Sequence, residues 1–219
     1  MKISVIIPVR NGSNYLKEAL ESIAAQGLDT ETIVVDDGSV DNTAEIAAAF
    51  GARVLRHPES RGQVVAKNTG LAAATGDCVL FLDHDDRIRE GALRTMGEAL
   101  QAHPEASAVQ AKVKDFLSPE IGRMDGTVIR PDAYYGLFTG AILIRREAFA
   151  KTGPFPENIH DGEIIYWHTR MEQCGLAILK LDLVSTDRRI HNTNFGKTNK
   201  EKEYKDFATI LRARLKGKK

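Results

Sequence analysis

Cysteine is scarce. Cys78 and Cys174 are the two in 219 residues, far apart and without a C-x-x-C pair. That rules out a disulfide framework and a cysteine-built structural zinc site, and each reads as a small buried apolar residue. Long apolar runs are missing too. None approaches the ~18 residues that a membrane-spanning helix needs, and the first eight residues, MKISVIIP, carry no signal-peptide apolar region or small-residue cleavage site. A soluble, cytoplasmic protein is expected. Net charge is absent as well: 30 Lys and Arg balance 30 Asp and Glu, so no global field draws the molecule to nucleic acid. There is no G-x-x-x-x-G-K-[ST] loop, no G-x-G-x-x-G turn and no G-x-S-x-G elbow. P-loop NTPases, dinucleotide dehydrogenases and serine hydrolases therefore have no local support.

What is present is ordinary globular material, 42% hydrophobic and 27% charged, which speaks against disorder. Strand and helix patterns alternate. Ile3–Val9 is a β-branched, apolar run suited to a strand buried on both faces. Ser13 is placed to cap a helix carrying Leu16, Leu20, Ile23 and Ala24 on one face. Strands are expected at residues 32–35, 53–56, 78–82, 108–116, 141–145 and 177–181. Helices are expected at 43–50, 65–74, from 90 to about 102, and at 162–174. Repeated strand–helix–strand units predict an α/β fold with a mainly parallel central sheet flanked by helices. We expect one domain over residues 1–196. Residues 197–219 follow as a basic segment with nine Lys or Arg and three Asp or Glu. There Tyr204, Phe207, Leu211 and Leu215 recur at helical spacing. The segment reads as a helix packed on the core or as a surface attracted to anionic lipid.

In open α/β sheets, ligands bind beyond the carboxyl ends of the strands. Polar clusters follow three of the expected strands: Pro8-Val9-Arg10-Asn11-Gly12, Asp36-Asp37-Gly38-Ser39, and Asp83-His84-Asp85-Asp86. Carboxylates so crowded repel one another unless a cation or a donor-rich ligand sits among them. The D-x-D triplet at a strand end suits a divalent cation, Mn²⁺ or Mg²⁺, shared with substrate phosphates.

Four stretches together resemble family 2 glycosyltransferases: Ile6-Ile7-Pro8-Val9-Arg10-Asn11, Val34-Val35-Asp36-Asp37-Gly38-Ser39-Val40-Asp41-Asn42-Thr43, Ala66-Lys67-Asn68-Thr69-Gly70, and Thr75-Gly76-Asp77 running into Phe81-Leu82-Asp83-His84-Asp85-Asp86. Gly140-Ala141-Ile142-Leu143-Ile144-Arg145-Arg146 with Gly153-Pro154-Phe155 extends the match. The resemblance implies a GT-A fold and inverting sugar transfer from a nucleotide-diphosphate donor. A UDP-sugar leads, with dTDP- and GDP-sugars behind it, and the acceptor is a saccharide, a lipid-linked molecule or a protein. It implies that Pro8, Val9, Arg10, Asn11, Asp36, Asp37 and Ser39 lie along the nucleotide, with Asp37 the base contact. Lys67 would approach the nucleotide or its phosphates, Asp83 would face the ribose, and Asp85 would hold the metal, with His84 pointing away. His191, in the stretch Arg188-Arg189-Ile190-His191, resembles a late metal-binding histidine, and Arg188 and Arg189 would meet the diphosphate. Two departures stand out. Arg10 occupies a position where the family often has tyrosine, and Ile164 falls where the usual Glu-Asp pair has its aspartate. Glu163 is the leading candidate for the general base and Asp161 the second; otherwise they would cap the helix and act on its dipole. Trp167 reads either as a sugar-stacking wall or as a core aromatic. The loop around 122–127 reads as a lid. A nucleotidyltransferase would need a glycine-rich basic loop after the first strand, which Val9-Arg10-Asn11-Gly12 is not. A sugar-nucleotide-binding protein without turnover is the alternative that Ile164 motivates.

Overall fold

The protein is described by a computed structural model over residues 1–119, 129–159 and 162–191. Asp161, the 122–127 loop and the 197–219 segment lie outside the described residues. The chain enters as β1 (Ile3–Val9), buried along its whole length, then α1 (Leu16–Ala24), β2 (Thr30–Asp37), α2 (Thr43–Ala49) and β3 (Arg53–His57). After α3 (Gln63–Ala73) come β4 (Cys78–Phe81), the two-residue β5 (Arg87–Ile88), α4 (Ala92–Ala102) and β6 (Ala106–Leu117). A 3₁₀ turn at Thr139–Ala141 leads into β7 (Ile142–Arg145), α5 (Ala148–Thr152), α6 (Glu163–Gln173) and β8 (Ala177–Ile190).

Among the described residues these strands form one sheet in the order β3-β2-β1-β4-β7-β6-β8-β5. The pairs β1–β2, β2–β3, β1–β4 and β6–β8 are parallel, whereas β7 runs antiparallel to both neighbours and β5 antiparallel to β8. The mainly parallel α/β expectation is met. The chain grows outward from β1 to β3, then returns to lay β4 on the other side of β1. That reversal opens a crevice at the carboxyl ends of β1 and β4, where the two acidic motifs emerge.

The strand alternation of side chains divides the core into two layers. Ile3, Val5, Ile7 and Val9 pack with Leu16, Leu20 and Ile23 of α1 and Leu93, Met96 and Leu100 of α4. Ile6, Ile33 and Val35 face the other way, among Val64 and Ala66 of α3, Phe149 of α5, and Ile164, Trp167 and Met171 of α6. Each fully buried Leu, Ile or Phe contributes about 1.5–3 kcal/mol.

Several boundaries differ from the sequence expectation. Ser13 does not cap α1: its N–H donates to Asp41 Oδ2 at 3.2 Å, and the helix starts only after Tyr15. A loop drawn toward the second strand's turn has displaced the local cap. β8 is far longer than 177–181, because its pairing with β6 shifts register between Gln110 and Lys112 and then resumes to Ile190. That extension carries Arg188, Arg189 and His191 to the crevice. The short β5 and α5 had no periodic signal of their own.

Helix α3 lies against β1 and β2 through Gly70. A Cβ there would fall 2.3 Å from Ile6 Cγ2 and 3.2 Å from Val35 Cγ2. Alanine gains up to ~1 kcal/mol of helix propensity over glycine, but at 2.3 Å overpacking wins. Gly70→Ala is expected to lose about 1–3 kcal/mol in urea unfolding, and the loss should vanish in an Ile6→Ala background, where the clashing methyl is gone. Equal loss in both backgrounds would show that the contact is not the cause.

Candidate active site

The first loop is tied to the second. Asn11 takes the left-handed conformation at φ 52°; its N–H donates to Ser39 Oγ at 2.9 Å and its Oδ1 accepts from Val40 N–H at 3.0 Å. Pro8, Val9, Arg10 and Asn11 line the crevice, and Val9 also packs in the core. His84 packs over Gly12, where a Cβ would come within 2.8 Å of its ring.

The paired aspartates of the second turn differ sharply. Asp36 is fully buried: its Oδ1 accepts the Ser39 N–H at 2.8 Å, and its Oδ2 lies 3.3 Å from Arg56 Nε. Neither Asp36 nor Ser39 lines the crevice. Both close the turn from beneath: Asp36 accepts from the Ser39 N–H, and the Ser39 hydroxyl accepts from the Asn11 N–H. Asp37 does line it, and it organises the segment after β3. Its Oδ1 accepts from His57 Nδ1 at 2.7 Å and Arg61 N–H at 2.8 Å; its Oδ2 accepts from the Ser60 hydroxyl at 2.7 Å and Gly62 N–H at 2.9 Å. Burial acts to push its pKa up, yet these four donors together outweigh burial and hold the carboxyl below its ordinary value.

Across the crevice, Asp83, Asp85 and Asp86 follow β4. Asp83 receives a hydrogen bond from Gln63 Nε2 at 2.9 Å, with Lys67 Nζ at 4.0 Å. Withdrawal from water pushes it up; the Lys67 charge opposes this, while Asp85 and Glu163 add to it. Asp85 Oδ2 meets His191 Nε2 at 2.7 Å. Burial opposes ionisation there, but the imidazole hydrogen bond, the His84 and His191 charges and a backbone hydrogen bond together outweigh it and lower the carboxyl. Asp86 is pushed well above the usual range by burial and by the Asp85 and Asp83 charges. Asp85 and His191 thus come together from positions 106 residues apart. A carboxylate and an imidazole form a mixed oxygen–nitrogen donor pair that suits Mn²⁺. Among the described residues no three His, Cys, Asp or Glu side chains group to hold an ion unaided. Such a cation would therefore share these two ligands with phosphate oxygens and water.

Arg189, expected at the diphosphate, is instead 2% exposed. Its Nε donates to the Asp85 carbonyl at 2.9 Å, one terminal nitrogen to Glu18 at 2.6 Å, and the other to Ser118 Oγ at 3.2 Å, while its N–H donates to Asp86 Oδ1 at 2.9 Å. It holds the acidic loop from behind, packed between the rings of Tyr15 and Phe116. Arg188 remains on the crevice wall, beside Asp115 at 3.6 Å and over the Phe138 ring.

The far wall comes from Leu137, Phe138, Thr139, Glu163 and Ile164. Glu163, 6% exposed, begins α6 and accepts a 2.5 Å hydrogen bond from Lys67 Nζ, which also reaches Thr139 Oγ1 at 3.4 Å. Lys67 lines the crevice with its ammonium against Glu163 and 4.0 Å from Asp83. One turn beyond Val64 and one before Gly70, it sits on the buried face of α3. Trp167 is 1% exposed, donates to Thr152 Oγ1 at 3.0 Å and packs on Phe149. It is a core aromatic and no part of the crevice. The crevice, open to solvent on one side, has a volume of ≈ 800 Å³, within the range of small-molecule sites.

Sequence reading missed Ser60, Gly62, Gln63 and Tyr15 as crevice residues. The polar run Ser60-Arg61-Gly62-Gln63, directly past β3, was a fourth strand-end cluster and the available signal. Tyr15, tilted against His191 with ring centres 5.0 Å apart, gave none.

The family model described as Glycosyl transferase family 2 matches residues 4–162. A pre-mycofactocin glycosyltransferase of Mycobacterium tuberculosis is 32% identical over 209 residues, covering 85% of this chain and 43% of that protein. The glycosyltransferase AglE of Haloferax volcanii is 24% identical over 80% of this chain and 63% of its own length. The chain thus spans less than half of the first of these relatives. Among solved structures, S. aureus TarS in complex with UDP-GlcNAc superposes with a TM-score of 0.77 at 22% identity, over 97% of this chain and 66% of that one. The mannosyltransferase PcManGT from Pyrobaculum calidifontis, in complex with GDP-Man and Mn²⁺, gives 0.74 at 21% identity, over 96% and 64%. The fold is GT-A.

Asp37→Asn turns an amide N–H₂ toward existing donors, so a loss of about 1–3 kcal/mol in urea unfolding at pH 7 is expected. Because the folded carboxyl lies below its ordinary 3.8, its contribution is complete above that value and fades as pH falls through the lowered one. The gap between the two proteins should therefore narrow toward pH 3. A gap constant from pH 7 to 3 would contradict this.

Proposed function

This chain belongs to glycosyl transferase family 2, and from that premise we propose that it moves a sugar from a nucleoside-diphosphate donor to an acceptor hydroxyl, with inversion and with a divalent cation bound. The observation that carries the reading is the opposition of two walls across one crevice: Asp37, Asp83 and Asp85 at the carboxyl ends of the strands, and Glu163 at the start of α6. A UDP-sugar is the leading donor, with GDP- and dTDP-sugars behind it; UDP-GlcNAc and GDP-Man occupy TarS and PcManGT respectively.

In this reading Pro8, Arg10 and Asp37 flank the base, and Asp83 faces the ribose. Asp85 and His191 would hold the cation, which when bound would neutralise charge developing on the departing diphosphate. Glu163 takes the proton of the acceptor hydroxyl as that oxygen bonds to the anomeric carbon. The bond from that carbon to the diphosphate oxygen breaks, and the nucleoside diphosphate leaves with the electron pair. Arg188 stands on the wall where its guanidinium can meet phosphate oxygens. Arg189 serves from behind, by holding the Asp85 main chain. The alternative reading, a sugar-nucleotide-binding protein without turnover, draws on Ile164 and on the ammonium that already occupies Glu163.

No helix among the described residues is long and apolar enough to cross a membrane. For the basic 197–219 segment we propose peripheral contact with anionic lipid. Co-sedimentation with phosphatidylserine vesicles should then fall with salt and be lost when the segment is removed; retention without it would refute the contact.

Titration calorimetry with UDP, GDP and dTDP, with Mn²⁺ and with chelator, tests the donor site. One nucleotide should bind with a metal requirement, and Asp85→Ala should weaken it tenfold or more. Binding that ignores both chelator and Asp85→Ala would refute the metal assignment. Tight binding without nucleotide release from any donor would favour the alternative.

A further inference from the structure

We propose that Lys67 is a positioning residue for Glu163, fixing the carboxylate that accepts the proton, and is not a ligand of the donor's phosphates. The proposal rests on the reading of Glu163 as general base. Its geometric basis is the bridge between α3 and the first turn of α6. Lys67 and Glu163 are 96 residues apart, both side chains are under a tenth exposed, and Nζ lies 2.5 Å from Oε1. The Thr139 hydroxyl, from the 3₁₀ turn before β7, receives a second, longer bond at 3.4 Å. The charged groups recorded against Glu163 among the described residues are this ammonium from α3 and Asp83 from the end of β4.

The chemistry of the pair decides between the two roles. Drawing Nζ away to a phosphate would strand the Glu163 carboxylate, buried and without its cation, and a buried charge that loses its partner is strongly disfavoured. Asp83 lies 4.0 Å from Nζ, beyond hydrogen-bond distance, so the ammonium's short contact is with Glu163 on the far wall, and Asp83 feels it as a longer-range charge. Gripping Oε1 orients the head group and leaves Oε2 as the oxygen to take the proton. The same contact accounts for a single glutamate serving where Ile164 follows it. A flexible carboxylate at a helix start is given a fixed direction by a cation from another helix, and a second acid beside it is not needed for that.

The test compares Lys67→Met, Lys67→Arg, Glu163→Gln and the double variant Lys67→Met/Glu163→Gln, each in the full chain. UDP binding with Mn²⁺ is measured by calorimetry, and UDP release from UDP-glucose is measured with water as acceptor. Lys67→Met should lower the turnover number about 10²-fold, with the UDP dissociation constant and the KM for UDP-glucose changed less than threefold. Lys67→Arg, which keeps the cation, should recover at least a tenth of the wild-type turnover. Lys67→Met alone should melt lower than the double variant, which removes both charges. That ordering can be read even if Lys67→Met folds poorly. Weakened UDP binding by tenfold or more in Lys67→Met, with turnover retained at saturation, would assign Lys67 to the phosphates and overturn the proposal while leaving Glu163 as base. Unchanged UDP release in Glu163→Gln would overturn the base reading and this proposal together.

Discussion

Acids withdrawn from water at the ends of parallel strands repel one another, and the loops of this protein are arranged around relieving that repulsion. Each carboxylate is given its own partners. Asp36 has Ser39 N–H and Arg56, and Asp37 has four donors, one from the end of β3 and three from the chain after it. Asp85 has His191, Asp86 the Arg189 N–H, and Glu163 has Lys67. Those partners lie up to 106 residues away, so satisfying the acids is what draws the loops and the end of β8 into one place. The conformations of Asn11, of the turn after β2 and of the residues before α3 all follow from it.

The sheet supplies the frame. Reversal of strand order at β1 and β4 places two acidic turns side by side, and the apolar residues on both faces hold the strands in register. The antiparallel β7 has a second consequence. The 3₁₀ turn that leads into it sits at the crevice end of the sheet, so Thr139 stands beside Lys67 while the Gly140 carbonyl accepts from the Thr186 hydroxyl at 2.7 Å. One short turn thereby joins the α3–α6 wall to β8. The register shift in β8 then delivers two arginines to different duties: Arg188 on the crevice wall and Arg189 within the loop's interior.

The division between the two walls also bears on the length of the chain. The fold is GT-A, and the chain spans 43% of the pre-mycofactocin glycosyltransferase it resembles. Asp37, Asp83 and Asp85 stand at strand ends, which the sheet positions. Acceptor recognition would draw on the far wall, where Leu137, Phe138 and Ile164 give an apolar surface beside Glu163.

The sequence alone determined whatever depends on local order. Apolar β-branched runs marked β1, β2 and β4, and alternation with helical periods gave the α/β class. The acidic triplet after Leu82 and the pair after Val35 marked the crevice, because strand ends and turn chemistry are written in consecutive residues. Only the tertiary structure decided how the acids and bases are shared out. Asp36 and Asp37 are neighbours of identical chemistry, yet the pleat sends one beneath the turn and the other into the crevice. Arg188 and Arg189 are separated by the same alternation. Lys67, within a motif that pointed to the nucleotide, went to Glu163 because helical spacing places it with Val64 and Gly70. Trp167, one turn past Glu163, went to the core beside Phe149. Burial and pairing of this kind depend on contacts between distant segments, and no local period or composition carries that information.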